Sequence, residues 1–355
     1  MSLLLVTKPF APPWHDSSSG LARALVQGLL ELDSAPALRV MVGATPSGFR
    51  GLTEERLYSD GGSFAPGLRQ NLPVLMRLFR NRGETARHFF FAPNRRTAKA
   101  ARLAASLRDI PSVHTLCSLP AAGIAVAPSL FATRSVAVSP WAQKRLADEG
   151  ADVACIEPAV LPLQSSEEGR HNCREKYADY VLFAGDLRRN GGVHQAIAAL
   201  AYLPDSLRLV IAARDKTADD AQRRNVLAQQ IAESPHAARI DLLGRIDWIG
   251  DLVGGAKAQL LPATDLTGKM DYPLVLIEGF AAGVPAVVAS EAPMASVEHA
   301  ALGTAPAADA RALATELERV LAVPPVRCLE LYKSRFSAKR LAADYLALYR
   351  DLGLF

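Results

Sequence analysis

The chain has 355 residues, 40 Lys and Arg against 36 Asp and Glu, a net charge of +4 and a hydrophobic share of 50%, which suits two globular domains of ordinary size and gives no nucleic-acid signal. No run reaches the roughly 18 apolar residues of a membrane span, and MSLLLVTKPF is too soon interrupted for a signal peptide, so a cytoplasmic location is expected. The four cysteines, Cys117, Cys155, Cys173 and Cys328, show no paired spacing; this argues against a zinc site or a disulfide framework and for reduced thiols.

The N-terminal half opens with LLLVTKPF, a strand, then APPWHDSSSG (11–20), a loop ending in helix-capping residues, then the amphipathic LARALVQGLLEL. GATPSGFRGLTEERLYSDGGSFAPG (43–67) is glycine-rich and reads as an irregular segment over a site. Further strand-helix units follow: RHFFFAPN (87–94) with RTAKAARLAASL, then PSVHTL (111–116), then SVAVSP (135–140) with WAQKRLADEGA, where Ser139 fits a helix cap. Between 77 and 108, nine cations (Arg77, Arg80, Arg82, Arg87, Arg95, Arg96, Lys99, Arg102 and Arg108) face one acid, Glu84. That asymmetry reads either as a solvated helix face or as peripheral contact with an anionic membrane or acceptor, on the inner face of a membrane.

Polar, proline-led residues 158–178 read as a linker and a short helix. The same grammar then restarts: YVLFAG (180–185), the turn DLRRNGG, the helix VHQAIAALAYL, the strands LRLVIAA (207–213) and RIDLLG (239–244), and a final unit. That unit is AKAQLLPA (256–263), a loop, a short helix starting near Pro273 and stopped by Gly283 and Pro285, and PAVVAS (285–290). Glu278 stands inside this helix among apolar neighbours. An isolated carboxylate there is costly, so the position calls for an ion pair with a distant arginine or for a ligand hydroxyl. FSAKRLAADYLALYRDLG closes the chain as an amphipathic helix. The expected domains are 1–160, a linker at 161–178, 179–334, and a terminal helix at 335–355 that returns to the first.

In order and spacing, PPWHDSSSGLARAL, SVAVSPWAQKRLADEGA, YVLFAGDLRRNGGVHQAI, RIDLLGRID, AQLLPATDL, PLVLIEGFAAGVPAVVAS and RFSAKRLAADYLALYRDL resemble the retaining glycosyltransferases of GT-B fold, in particular glycosyltransferase family four. The resemblance implies an α/β fold of two Rossmann-like domains with a cleft between them. It implies transfer of a sugar from a nucleotide-diphosphate sugar to an acceptor hydroxyl, the donor being a co-substrate and no metal or other cofactor being required. The settings it suggests are cell-envelope polysaccharide, glycolipid or natural-product biosynthesis. By the same resemblance Glu278 accepts the ribose hydroxyls, and Gly185, Gly244, Arg245, Asp271, Leu274 and Val275 belong to the donor site. His114 would lie near the donor sugar, unless it is a core histidine. Gly20 and Ser19 would approach a phosphate or acceptor at a helix N-terminus, with His15 and Asp16 in the same loop as sources of a general base.

Three positions depart from the family pattern: Met270 replaces a glutamate, Asp186 an arginine and Gly191 a lysine. Arg188, Arg189 and Lys269 are the nearby cations that could neutralise a departing diphosphate, unless they are solvated loop charges. A catalytically silent nucleotide-binding or partner subunit is the rival reading.

Overall fold

The computed structural model describes residues 2–10, 16–32, 35–58, 68–80, 82–106, 110–188, 190–215 and 218–354. The chain divides into two compact units: Met1–Leu161 with Thr267–Leu274 and Arg335–Phe355, and Pro162–Leu266 with Val275–Ser334.

The first unit contains β1 (Ser2–Val6), α1 (Ser17–Leu30), β2 (Ala37–Val42), β3 (Thr53–Arg56), α2 (Leu68–Phe79), β4 (Ala86–Phe91), α3 (Arg95–Ser106), β5 (Ser112–Leu116), β6 (Arg134–Ala137), α4 (Pro140–Asp148) and β7 (Ala154–Cys155). Its sheet runs β3-β2-β1-β4-β5-β6-β7, parallel throughout. Helices cover such a sheet on both faces, which is why Leu3, Leu4 and Leu5 are all fully buried and the strands read as apolar runs. The segment read as irregular holds a strand, β3, whose TEER sequence sits at the sheet edge with three of four residues exposed.

The second unit contains α5 (Glu167–Tyr177), β8 (Tyr180–Ala184), α6 (Val193–Ala199), β9 (Arg208–Ala212), α7 (Ala218–Ala232), β10 (Ile240–Leu243), α8 (Ile249–Gly255), β11 (Ala258–Leu261), α9 (Leu274–Ala281), β12 (Ala286–Ala289), β13 (Leu302–Ala305), α10 (Ala310–Leu321) and α11 (Pro325–Leu331). Its sheet, β10-β9-β8-β11-β12-β13, is again all parallel. The short helix read after the proline-led linker residues is α5, whose Cys173 and Tyr177 enter a core with Tyr180, Leu182, Leu252 and Val253. In both sheets the strand order reverses direction beside the first strand, at β1/β4 and at β8/β11. That is the doubly wound arrangement, and ligands bind beyond the strand ends at such a reversal.

The last helix, α12 (Ala338–Asp351), packs on α1 in the first unit. Their backbones approach so closely at Gly28 that a Cβ there would run into the Ala338 carbonyl. On the sheet side, His88 is fully buried; its ring nitrogens meet Tyr349 Oη at 2.5 Å and Thr115 Oγ1 at 2.8 Å, and Thr115 Oγ1 meets Tyr345 Oη at 2.5 Å. Each buried polar atom thereby gains a partner.

The cationic stretch is not one surface. Arg77 and Arg87 are 3% and 2% exposed. Arg77 Nη2 bonds Glu55 at 2.7 Å and Glu84 at 3.0 Å, and Arg87 Nη2 bonds Glu84 at 3.0 Å and the Leu78 carbonyl at 2.7 Å. These two arginines are core ion pairs, because Glu55 on β3 brings a second acid that counting within 77–108 misses. Arg108 lies outside the described residues. Arg80, Arg82, Arg95, Arg96, Lys99 and Arg102 remain exposed. No helix of the described residues is long and apolar enough to cross a membrane.

Candidate donor site

In the second unit, the turn after β8 folds back onto the end of β11. Asp186 accepts the Arg188 backbone N–H at 3.2 Å and its Nε at 2.8 Å, and Gly191 donates to the Arg188 carbonyl at 2.8 Å. Gly192 has φ +94, and a Cβ there would stand 2.7 Å from the Pro262 carbonyl carbon. At Gly191 a Cβ would lie 2.6 Å from the Asp186 carbonyl oxygen. A lysine at that place would not fit this turn, which gives a steric reason for the missing family residue. The N–H groups of Thr264 and Asp265 close the contact on the Asn190 carbonyl. Arg188 is therefore held by Asp186 within its own turn, and Arg189 lies outside the described residues.

Beyond the β11 loop, Glu278 stands on α9 between the fully buried Ile277 and Phe280. Its carboxylate has no ion pair or hydrogen-bond partner among the described residues, and burial pushes its pKa up to about 7. The distant arginine that would make Glu278 a structural ion pair is absent among those residues. Val275 joins the apolar cluster of this unit. Gly185, beside the β8 end, leaves room for Leu261 Cδ1, which a Cβ would meet at 3.0 Å. Gly244 adjoins more open space, and Arg245 is exposed, 3.6 Å from Asp247.

The segment before α9 belongs to the first unit. Gly268 donates to the Leu119 carbonyl at 3.0 Å, and Tyr272 Oη donates to Glu157 at 3.2 Å. Met270 is 3% exposed, so the residue at the family's glutamate position is a core side chain. Asp271, read as a donor-site residue, accepts the Ser139 hydroxyl, and Ser139 in turn caps α4 through Ala142 N–H at 3.0 Å. Burial raises the Asp271 pKa to about 6 against the opposing effects of Ser139 and Arg145. Lys269 is partly buried and Leu274 buried in the same segment.

Four first-unit residues, Asp16, Ser19, Gly20 and His114, are engaged in local contacts. Asp16 is the N-cap of α1 and accepts Ser19 N–H at 3.0 Å and Ser18 Oγ at 2.7 Å while pairing with Lys8. Burial alone would raise its pKa, but Lys8 and these hydrogen bonds outweigh burial and lower it, which ill suits a general base. Ser19 N–H is thus engaged, and Gly20 N–H donates to the Asp16 carbonyl at 2.9 Å, so neither amide is left for a phosphate. His15 lies outside the described residues. His114 is fully buried between Phe91 and Phe131, with ring centroids at 4.5 and 4.8 Å, and its Nε2–H donates to the Phe91 carbonyl at 3.1 Å. Burial lowers its pKa to about 4, so at neutral pH it is an uncharged imidazole whose Nδ1 lone pair has no partner among the described residues. It can accept a hydrogen bond but cannot supply positive charge.

Residues 178–322 match the family model of glycosyl transferases group 1. No curated protein sequence matches the chain. Among solved structures, HepE of Anabaena in complex with UDP-glucose superimposes with TM-score 0.73 at 15% identity, over 99% of this chain and 100% of that one. Sucrose-phosphate synthase of Thermosynechococcus elongatus gives 0.74 at 17% identity, over 99% of both chains. A glycosyltransferase of Rickettsia africae gives 0.74 at 15%, over 99% and 98%. The fold is GT-B. Within this GT-B chain the family match falls on the second unit, the one that carries Glu278 and the β8 turn.

Proposed function

We propose that this GT-B chain is a retaining glycosyltransferase: it moves a sugar from a nucleotide-diphosphate sugar to an acceptor hydroxyl and preserves the anomeric configuration. The observation that carries this reading is Glu278, a carboxylate without a partner on the helix that follows the switch-point strand β11. A ribose offers two adjacent hydroxyl donors to such a group. The UDP-glucose bound to HepE supports a donor of that class. Attack on the donor's front face, assisted by the departing phosphate, needs no carboxylate nucleophile, so Met270 is compatible with turnover. The setting is cytoplasmic carbohydrate biosynthesis, for cell-envelope polysaccharide, glycolipid or natural product. A thermal-shift screen of nucleotides and nucleotide sugars tests the reading: a ligand at 100 times its dissociation constant stabilises by about 2.7 kcal/mol. No shift with any of them would sink it, and a shift without nucleotide release on adding acceptors would favour the silent subunit.

Two phosphates leaving together need a cation close by, because helix amides alone carry only partial charges. Lys269 is the first choice by its place in the chain. It stands in the segment leading into α9, nine residues before Glu278. Lys269→Ala is expected to lower turnover more than about ten-fold, roughly 1.4 kcal/mol of transition-state stabilisation, with little change in melting temperature. Arg188→Ala is expected to have the smaller effect. Steady-state kinetics of the two variants decide; unchanged turnover in both, or an absolute requirement for a divalent metal, would refute the assignment.

The cations left exposed on and around α3 favour peripheral contact with an anionic membrane. Leu72 and Met76 on α2 are 54% and 46% exposed, one helical turn apart, and Leu103 on α3 is 55% exposed beside Lys99 and Arg102. Apolar side chains rimmed by basic ones suit an interface of anionic headgroups. Co-sedimentation is expected with anionic and not with neutral vesicles, and to weaken with salt. Equal binding to both, or none, would rule this contact out.

A further inference from the structure

Two locally unfavourable residues meet beneath α9. Gln259 places a primary amide in the middle of β11, 1% exposed, with Leu182 of β8 and Ala286 of β12 as its strand neighbours. Its Nε2 makes only a long hydrogen bond, 3.4 Å, to the Leu276 carbonyl, and its Oε1 has no partner among the described residues. A buried polar atom without a partner is destabilising. Above it, Gly279 occupies the interior of α9, where glycine is a poor helix former. Its conformation does not require glycine, since its φ is not positive, but its surroundings do: a Cβ would collide with Gln259 Nε2 and lie 2.8 Å from Cδ. An aliphatic residue at 259 with alanine at 279 would fill similar space with neither penalty. The pair therefore serves placement of the helix rather than stability.

We infer that Gln259 and Gly279 set the height and rotation of α9 on β11, and so hold Glu278 in the orientation that receives a ribose. Gln259 is a positioning residue for that carboxylate. Leu276 and Gly279, three residues apart, share the helix face turned to the sheet, and Glu278 projects about 100° round from Gly279. Any lift or roll of α9 moves the carboxylate directly.

This inference rests on the ribose reading of Glu278, and the experiment separates the two. Whichever of UDP, GDP and ADP binds the wild-type chain best is titrated calorimetrically beside its 2′-deoxy counterpart. The ratio of dissociation constants reports the ribose contact, expected at about ten-fold or more for a hydrogen bond to a charged acceptor. Gly279→Ala is expected to shrink the ratio below about three-fold. Adding Gln259→Ala makes room for the new methyl and is expected to restore it, while Gln259→Ala alone, which loosens the same contact, also lowers it. A wild-type ratio in Gly279→Ala, or no recovery in a folded double variant, overturns the inference. Should Gly279→Ala not fold, an unchanged ratio in Gln259→Ala overturns it equally. If Glu278→Gln keeps the ratio, or none of the three nucleotides binds, the ribose reading itself fails. If Glu278→Gln abolishes the ratio while Gly279→Ala keeps it, only the positioning role falls.

Discussion

Nucleotide-sugar affinity is expected to rise as pH passes through 7, and Glu278→Gln is expected to bind about 10- to 100-fold more weakly at pH 8. Burial holds this carboxyl at about 7 in the ligand-free chain, against an ordinary value of 4.5. Ribose hydroxyls donate to its ionised form, so ligand and proton compete, and binding tightens until ionisation is complete. A nucleotide-sugar diphosphate carries no group titrating near 7, so the pH dependence reports the protein. In Glu278→Gln the affinity is expected to be weak and nearly flat between pH 6 and 8. The folding consequence has the opposite sign. An acid whose folded pKa is raised contributes stability below its unfolded value, and that contribution is lost as pH rises from about 4.5 through 7. Glu278→Gln, which cannot ionise, is therefore expected to melt at least as high as wild type at pH 8. Calorimetric titrations at three pH values with paired melting curves check both; equal affinity of the two proteins at pH 8 would end the ribose assignment.

Glu84→Ala is expected to destabilise the first unit by about 3–5 kcal/mol, because it takes from buried Arg87 the acid it pairs with and from buried Arg77 one of its two acids. Glu84 accepts Arg77 Nη1 and Nη2 at 3.1 and 3.0 Å, Arg87 Nη2 at 3.0 Å and the Arg82 backbone N–H at 3.0 Å. Burial would raise its pKa, yet the arginine side chains and backbone donors prevail and set it at about 2. A depressed acid contributes stability present above its unfolded value, here 4.5, and lost as pH falls toward 2. Wild type is therefore expected to weaken steeply across that window, and the variant to be weak already at pH 7. Chemical denaturation at pH 7, pH 4.5 and pH 3 measures this; a loss below about 1 kcal/mol on substitution at pH 7 would mean that water reaches and solvates the arginines.

The sequence displays the two sheets because a parallel strand buried on both faces is a short, nearly continuous apolar run, as in Leu3–Leu5 or Val287–Ala289. It hides β3, whose polar TEER gains its place only by pairing with β2 at an edge. It misassigns Arg77, whose partner Glu55 lies 22 residues away, and Arg87, which shares Glu84 with it, because composition counted in a window takes no account of pairing. Within the candidate site, Glu278 is legible as an ionisable group in an apolar helix. Asp271 is not: its hydroxyl partner, Ser139, is 132 residues away, and nothing local distinguishes a carboxylate that anchors a segment from one that binds a ligand. Gly191 looks like a lost lysine in the sequence and is a steric requirement of its turn in three dimensions.

The first unit is discontinuous: its core is completed by α12, which follows the whole of the second unit in the chain. During synthesis, His88 and Thr115 emerge from the ribosome more than 200 residues ahead of the tyrosines that bond them. Until residues 338–351 follow, the α1 surface around Gly28 and the Nδ1 of His88 lack the partners that the last helix brings. The first unit therefore cannot complete its core before residues 338–351 have been made. The second unit has all its residues first, and the first unit closes only when the last helix arrives.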